Sequence, residues 1–241
     1  MIGIIIAMEK EVTDDFLTHT KFKKIYNHKI KSRKYYISET SSGENIVIGF
    51  SGIGKTNAAI CATQMIANFN IDLIVNIGSA GAFVDSLNLF DVVLVNKNYY
   101  FDVDLTAFGY EYGVLPKQPL FFSTDSFSNK IIKEVLKSFN NFNTMNGTCS
   151  TGDSFLTNQN LSKYNFFLKN NPDVIDMESC SIAQTCNEFK VKFSCIKIVS
   201  DYLFSKKKSS SEFDDNLKKI AIMISDIIYN ISEKLVFENL K

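Results

Sequence analysis

One stretch narrows the fold of this chain more than any other. Ser194-Cys195-Ile196-Lys197-Ile198-Val199-Ser200-Asp201 is apolar apart from Lys197 and stops in Ser-Asp. A short apolar run rich in β-branched residues reads as a strand covered on both faces, as in an α/β sheet. In open α/β sheets, ligands bind outside the carboxyl ends of the strands. Asp201 therefore has two readings: a carboxylate that meets a ligand, or a cap for the next element, since Asp is a favoured cap residue. The choice turns on how many other apolar runs also end in polar groups.

Several do. Ile2 to Ala7 is an Ile-rich run followed by Met8-Glu9-Lys10-Glu11-Val12. Arg33 to Glu39 and Asn45 to Ser51 read as a hairpin around Ser41-Ser42-Gly43. The second arm leads through Gly52-Ile53-Gly54 into a helix reaching about Phe69, with Ala58, Ala59, Ala62 and Ile66 on its apolar side. Asp72 to Ile77 predicts a strand ending in Gly78-Ser79-Ala80-Gly81, and Asp91 to Val95 another. Tyr99 to Pro119 reads as a long aromatic loop, the kind that is usually functional or interfacial. Helices are expected over Asn129 to Phe139 and Leu161 to Leu168, with a strand ending at Thr148–Asp153 between them. Val174 to Glu178 predicts a short strand. The helix after it would carry Ile182, Cys186 and Phe189 on one face, with Glu178 near its N-terminus, where the dipole favours negative charge. Ser211 with Asp214 resembles a capping box. It would open a last helix bearing Leu217, Ile220, Ile224, Ile227, Ile231 and Leu235 at helical spacing. No repeat or linker interrupts the 241 residues, so they read as one α/β domain with a mixed sheet and flanking helices.

Composition removes whole classes of function. The 26 basic and 26 acidic residues cancel, leaving no field to draw the chain to nucleic acid or a membrane surface. His19 and His28 are the only histidines, which argues against a Ser-His-Asp triad and a His-rich metal site. The five Cys include no CxxC pair and read as buried free thiols in a reducing compartment. The first apolar run is too short to span a membrane and has no basic flank, so a soluble, cytoplasmic protein is expected.

Gly49-Phe50-Ser51-Gly52-Ile53-Gly54-Lys55-Thr56 matches GxxxxGK[ST], the P-loop pattern, between an expected strand and helix. Taken alone it would predict an NTPase, with the strand to Asp201 supplying the magnesium ligand. Against this stand the 48 residues before it, Lys197 inside the would-be Walker B strand, and the polar strand ends that would have no role.

Those strand ends carry a resemblance. Gly3-Ile4-Ile5 with Ala7-Met8-Glu9 and Glu11; Ser51-Gly52-Ile53-Gly54-Lys55; Asn76 with Gly78-Ser79-Ala80-Gly81; Asp104 with Thr106-Ala107-Phe108-Gly109-Tyr110-Glu111-Tyr112-Gly113; Gly152-Asp153 with Phe155; Met177-Glu178; and Ser200-Asp201 occur in this order. Along nearly its whole length the chain resembles the 5'-methylthioadenosine/S-adenosylhomocysteine nucleosidases of the purine nucleoside phosphorylase superfamily. The resemblance implies a three-layer α/β/α sandwich, a homodimer, no metal and no cofactor. It implies hydrolysis of the N-glycosidic bond of 5'-alkylthioadenosines to adenine and a 5-thioribose sugar. Asp201 resembles the acid that protonates adenine N7, oriented by Ser200, and Glu11 the base that activates water. Glu178 resembles the ribose-hydroxyl ligand, with Met177 under the sugar and Ser79 near water and ribose. Phe155 would stack on adenine, and the Leu156 backbone would read its edge. Met8, Ile53 and Phe213 would line the alkylthio pocket, joined by Phe108 and Pro116 from a partner subunit. Without the resemblance, Met8, Met177, Phe155 and Phe213 read better as core residues, and Glu11 as a solvated charge.

Two positions depart from the family pattern. Lys197 stands where the family usually has Arg, a swap of a planar fork for a point charge near the water and Glu178. Ile6 stands where Gly is usual, which would narrow a backbone approach. A phosphorylase or futalosine-type hydrolase of the same fold is the alternative, yet Arg33 is the only Arg available for a phosphate site.

Overall fold

A computed structural model of the chain describes residues 1–18, 25–164, 166, 170–204 and 209–239. The elements run β1 (Ile2–Ile6), β2 (Ile25–Ile30), β3 (Arg33–Glu39), β4 (Asn45–Phe50), α1 (Lys55–Asn68), β5 (Leu73–Ala82), β6 (Val92–Tyr100), β7 (Phe122–Ser123), α2 (Ser126–Leu136), β8 (Thr144–Thr151), β9 (Val174–Asp176), α3 (Ser179–Phe189), β10 (Lys192–Tyr202) and α4 (Ser209–Asn239).

Residue alternation divides the core into two halves. Ile2, Ile4 and Ile6 of β1, Ile196 and Ile198 of β10, and alternate residues of β4 and β5 pack against α2 and α4. Ile5, Val47, Ile74, Cys195 and Val199 face the other way, against Ala58, Cys61, Ala62 and Met65 of α1 and Cys180, Ile182 and Cys186 of α3. Successive strand side chains point to opposite faces, so fully apolar strands cover both layers at once. The result is helices, sheet, helices: the three layers that were expected.

The sheet is mixed, in the order β10-β6-β8-β9-β5-β1-β4-β3-β2, and β10 also pairs with β5. That second pairing closes β5, β10, β6, β8 and β9 into a ring. The closure depends on β5 running through Gly78-Ser79-Ala80-Gly81 to Ala82, beyond the end at Ile77 that the sequence suggested. These small residues let β10 pair along the whole of β5, Lys197 opposite Gly78 and Asp201 opposite Gly81. β9 then pairs with Gly81 and Ala82.

α4 presents Leu217, Ile220, Ile224, Ile227, Ile231 and Leu235 to the core, all buried. Each such side chain contributes roughly 1.5–3 kcal/mol. α2 begins three residues earlier than expected because Asp125 caps it, accepting from Ser128 N at 2.8 Å.

Other expectations need correction. Phe189 is exposed, because α3 ends there with Lys190 in the left-handed region. Leu161–Lys163 forms only a short 3-10 helix, and residues 165 and 167–169 of the expected helix lie outside the described residues. α4 is already helical at Ser209, ahead of the expected capping box, and the side chains of Ser211 and Asp214 lie outside the described residues. Ile6 sits in the α4-side core, away from the cleft described below, so it narrows no approach to a ligand. The aromatic stretch is less exposed than its composition suggested: Tyr100 and Phe101 are buried at the end of β6, while Phe108 and Tyr110 are exposed. Among the described residues, no helix is long and apolar enough to cross a membrane.

Candidate active site

The carboxyl ends of β1, β5 and β10 meet at one cleft of about 150 Å³. Met8, Glu11, Ile53, Ser79, Phe155, Leu156, Met177, Glu178, Lys197, Ser200 and Asp201 all line it, as the sequence reading grouped them. Three of the predicted residues are not among them. Phe108 and Pro116 are exposed away from this cleft, Phe108 at 78%. Phe213 falls in α4, and its side chain lies outside the described residues.

Glu11 is swung into the cleft by a 3-10 turn, Glu9–Glu11, that follows β1 directly. It is 1% exposed, not solvated. Its Oε1 accepts from Ser79 N at 2.7 Å and Ser79 Oγ at 2.6 Å, and its Oε2 from Met8 N at 3.1 Å. A Cβ at Gly78 would stand 3.2 Å from Oε1, so the carboxylate lies against bare backbone.

Asp201 is 4% exposed and lies within β10, so it caps no helix. A register shift between Val199 and Asp201 places it over Gly81. Bulges of this kind re-aim a side chain and recur next to active sites. Ser200 Oγ donates to Asp201 Oδ1 at 2.6 Å and lies 3.2 Å from Ala80 O.

Glu178 occupies the N-cap position of α3, but its side chain caps nothing there. It turns to the cleft, where Oε1 accepts from Gly54 N at 2.9 Å. Burial, with Asp176 and Glu11 nearby, pushes its carboxyl up to about 8, against the opposing pull of Lys197 and Gly54 N–H.

Lys197 has a partner that sequence reasoning missed. Its Nζ lies 2.8 Å from Asp176 Oδ2, with both side chains buried. Asp176 also accepts from Thr151 Oγ1 at 2.5 Å and Ser179 N at 2.9 Å. Burial works against the charge on Asp176, but Lys197 and these donors hold its carboxyl below the usual range. Burial likewise opposes the charge on Lys197, and Asp176 keeps the amine protonated. A lysine inside an apolar strand demands such a counter-charge, and that demand was the signal available in the sequence.

The P-loop-like segment holds no place for a phosphate. Gly54 N–H is committed to Glu178 and Lys55 N–H to Asp153 Oδ1 at 2.8 Å. Lys55 Nζ is held by Asp102, 2.8 and 2.7 Å from its two oxygens. Three carboxylates thus occupy the donors that would cradle a phosphate.

Two buried acids, Glu11 and Asp201, thus lie against the small-residue end of β5, inside a sheet closed by β5 and β10. The family model of the phosphorylase superfamily matches residues 1–232, and the chain belongs to that superfamily. Within it, the chain belongs to the 5'-methylthioadenosine/S-adenosylhomocysteine nucleosidase family. It is 37% identical over 239 residues to the nucleosidase of that name from Staphylococcus haemolyticus, covering 98% of this chain and 100% of the relative. The nucleosidase from Colwellia psychrerythraea in complex with adenine superposes with a TM-score of 0.86 at 32% identity, over 97% of this chain and 95% of that one. The Neisseria meningitidis nucleosidase in complex with methylthio-immucillin-A gives a TM-score of 0.86 at 29% identity, over 96% and 98%.

Proposed function

We propose that the chain hydrolyses the N-glycosidic bond of 5'-methylthioadenosine and S-adenosylhomocysteine, and of 5'-deoxyadenosine, releasing adenine and the corresponding ribose sugar for methionine salvage. The observation that carries this reading is that Glu11 and Asp201 line one cleft, each accepting a hydrogen bond from a serine hydroxyl.

Cleavage asks for a proton on the departing adenine and an aimed water at the anomeric carbon. Asp201, protonated and oriented by Ser200, gives its proton to N7 as the glycosidic bond breaks. Glu11 takes a proton from water as the oxygen attacks, and its three donors keep its free lone pairs in one direction. Glu178 meets the ribose hydroxyls; burial raises its carboxyl to about 8, which favours the protonated form that can both donate and accept. Lys197 acts through its field and its pairing with Asp176, which suits a point charge better than a bidentate contact. Phe155, 44% exposed, offers its ring to adenine, and the Leu156 backbone its edge contacts. Met177 lies under the sugar. Met8 and Ile53 form the alkylthio wall. The reaction as proposed uses no metal and no cofactor. Lys197 is the one cation among the described residues of the cleft lining, and Asp176 already neutralises it. That favours water over phosphate as the nucleophile.

The test is adenine release from methylthioadenosine in phosphate-free buffer with a chelator. Adenine that appears only after phosphate is added would make the chain a phosphorylase.

A homodimer belongs to the same proposal, with Phe108 and Pro116 reaching a partner's alkylthio pocket. Its support is the 78% exposure of Phe108 beside exposed Tyr110, since aromatic residues are enriched at interface cores. Phe108→Ala is expected to raise KM for methylthioadenosine more than for adenosine. A buried Phe is worth roughly 1.5–3 kcal/mol, about 10- to 150-fold if fully expressed. Equal effects on both substrates, or a fully active monomer in sedimentation, would refute the shared pocket. The five buried free thiols fit a cytoplasmic location.

A further inference from the structure

The proposed reaction leaves Lys55, at the end of the Gly52-Ile53-Gly54 turn, without a role. Lys55 does not line the cleft, yet it stands at the centre of a closed set of contacts. Its ammonium lies 2.8 and 2.7 Å from the two oxygens of Asp102, just beyond β6. Its own N–H donates to Asp153 Oδ1 at 2.8 Å. Asp153 N–H in turn donates to Asp102 Oδ2 at 2.9 Å. Three chain segments are thereby locked to one another: the Ser51–Lys55 turn, the end of β6, and the loop from Gly152 that carries Phe155.

The residue before Lys55 in this turn touches the site. Gly54 N–H donates to Glu178 Oε1 at 2.9 Å. Gly54 holds φ +98°, a conformation that a side chain would strain, and a Cβ there would stand 3.0 Å from Asp153 Oδ1. The N–H that holds Glu178 is thus one residue from the N–H that Asp153 holds. Lys55 is also the first residue of α1, so Asp102 and Asp153 lie where the helix dipole favours negative charge.

We infer that Lys55 is a positioning residue: its ion pair with Asp102 aims Gly54 N–H at Glu178, and so fixes the carboxyl that meets the ribose hydroxyls. This rests on the nucleosidase reading for the role of Glu178. The clamp itself rests on the hydrogen bonds alone. A displacement of about 1 Å, arising far from the chemistry, can cost about 10²-fold in rate.

The experiment compares the full chain with Lys55→Met, which keeps the length and removes the charge, and Lys55→Arg, which keeps a fork for Asp102. Two substrates are used: methylthioadenosine, and its analogue lacking the 2' and 3' hydroxyls. Lys55→Met should lower kcat/KM on methylthioadenosine by about 10- to 100-fold. On the deoxy analogue the loss should stay within about 2-fold, the scatter of independent sites. Lys55→Arg should restore most of the loss. In the absence of any substrate, the Gly54 amide should lose hydrogen-exchange protection in Lys55→Met. Equal losses on the two substrates would overturn the inference, and so would unchanged exchange at Gly54. Faster exchange with unchanged kinetics would reduce Lys55 to a purely structural residue. If Lys55→Met does not fold, Asp102→Asn makes the same break more mildly and faces the same criteria. If the parent chain releases no adenine, the nucleosidase reading falls, while exchange at Gly54 still decides whether the clamp exists.

Discussion

Asp201→Asn should lower turnover on methylthioadenosine by at least about 10²–10⁴-fold, the usual worth of a positioned general acid. Asn keeps the volume and an oxygen for Ser200 Oγ, which donates to Oδ1 at 2.6 Å in the parent. It has no proton to deliver to N7. The residue sits in a strand, 4% exposed, and Asn fits the same shape there. The thermal midpoint should therefore move little. A second substrate makes the assignment sharper. A 5'-alkylthio riboside with a phenolate leaving group departs without N7 protonation, so Asp201→Asn should cost it far less. Near-parental turnover on methylthioadenosine would remove Asp201 from the role of acid. An equal loss on both ribosides would show that the change had disturbed the site as a whole.

Lys197→Met should be the most destabilising of the substitutions considered. It leaves the Asp176 carboxylate buried with only Thr151 and Ser179 as donors. Breaking a buried pair by removing one partner typically costs 3–5 kcal/mol, because the remaining charge is uncompensated. For a chain of this size about 1 kcal/mol corresponds to roughly 2–4 °C, so the midpoint should fall by about 6–20 °C. Lys197→Met combined with Asp176→Asn should recover much of that loss, since replacing both partners of a buried pair is often close to neutral. Thermal unfolding of the two variants beside the parent reads the difference. A single variant as stable as the parent would mean that the pair is not the counter-charge it is taken to be. The double variant serves a further purpose. If it is stable yet slow, the Lys197–Asp176 pair matters to the reaction apart from its part in the fold.

Much of the layer structure was legible because periodicity is local. Ile2–Ile6, Leu73–Ile77 and Phe193–Val199 are mostly apolar and buried on successive residues, as a strand covered by helices on both sides requires. The helical spacing from Leu217 to Leu235 likewise has one interpretation, and all six of its marker residues are buried. The lining of the cleft was recoverable for a different reason. Its residues sit at strand ends, where a parallel sheet gathers its ligands, and the resemblance supplied their grouping.

What stayed hidden was pairing at long range. The ion pair of Lys197 with Asp176 joins residues from different strands, and a lysine in an apolar run announces only that some acid is needed. The phosphate-cradle pattern around Lys55 was already disfavoured by its place in the chain and by Lys197, but what occupies its donors, Glu178, Asp153 and Asp102, could not be read from the sequence. The burial of Tyr100 and Phe101 beside the exposure of Phe108 could not be read from an aromatic-rich stretch, because composition carries no direction.

The sequence by itself determined most of the strands and helices, the buried stripe of the last helix, and which polar residues stand at the strand ends. Those properties follow from side-chain size, branching and spacing, which act within a few residues. Only the tertiary structure decided that β5 runs on through its glycines to close a ring with β10. It also decided that the bulge before Asp201 turns its carboxylate over Gly81, and that Glu11 is desolvated against Ser79. Each depends on register between segments distant in the chain. Register is set by the summed packing of the whole sheet and by no residue's own preference.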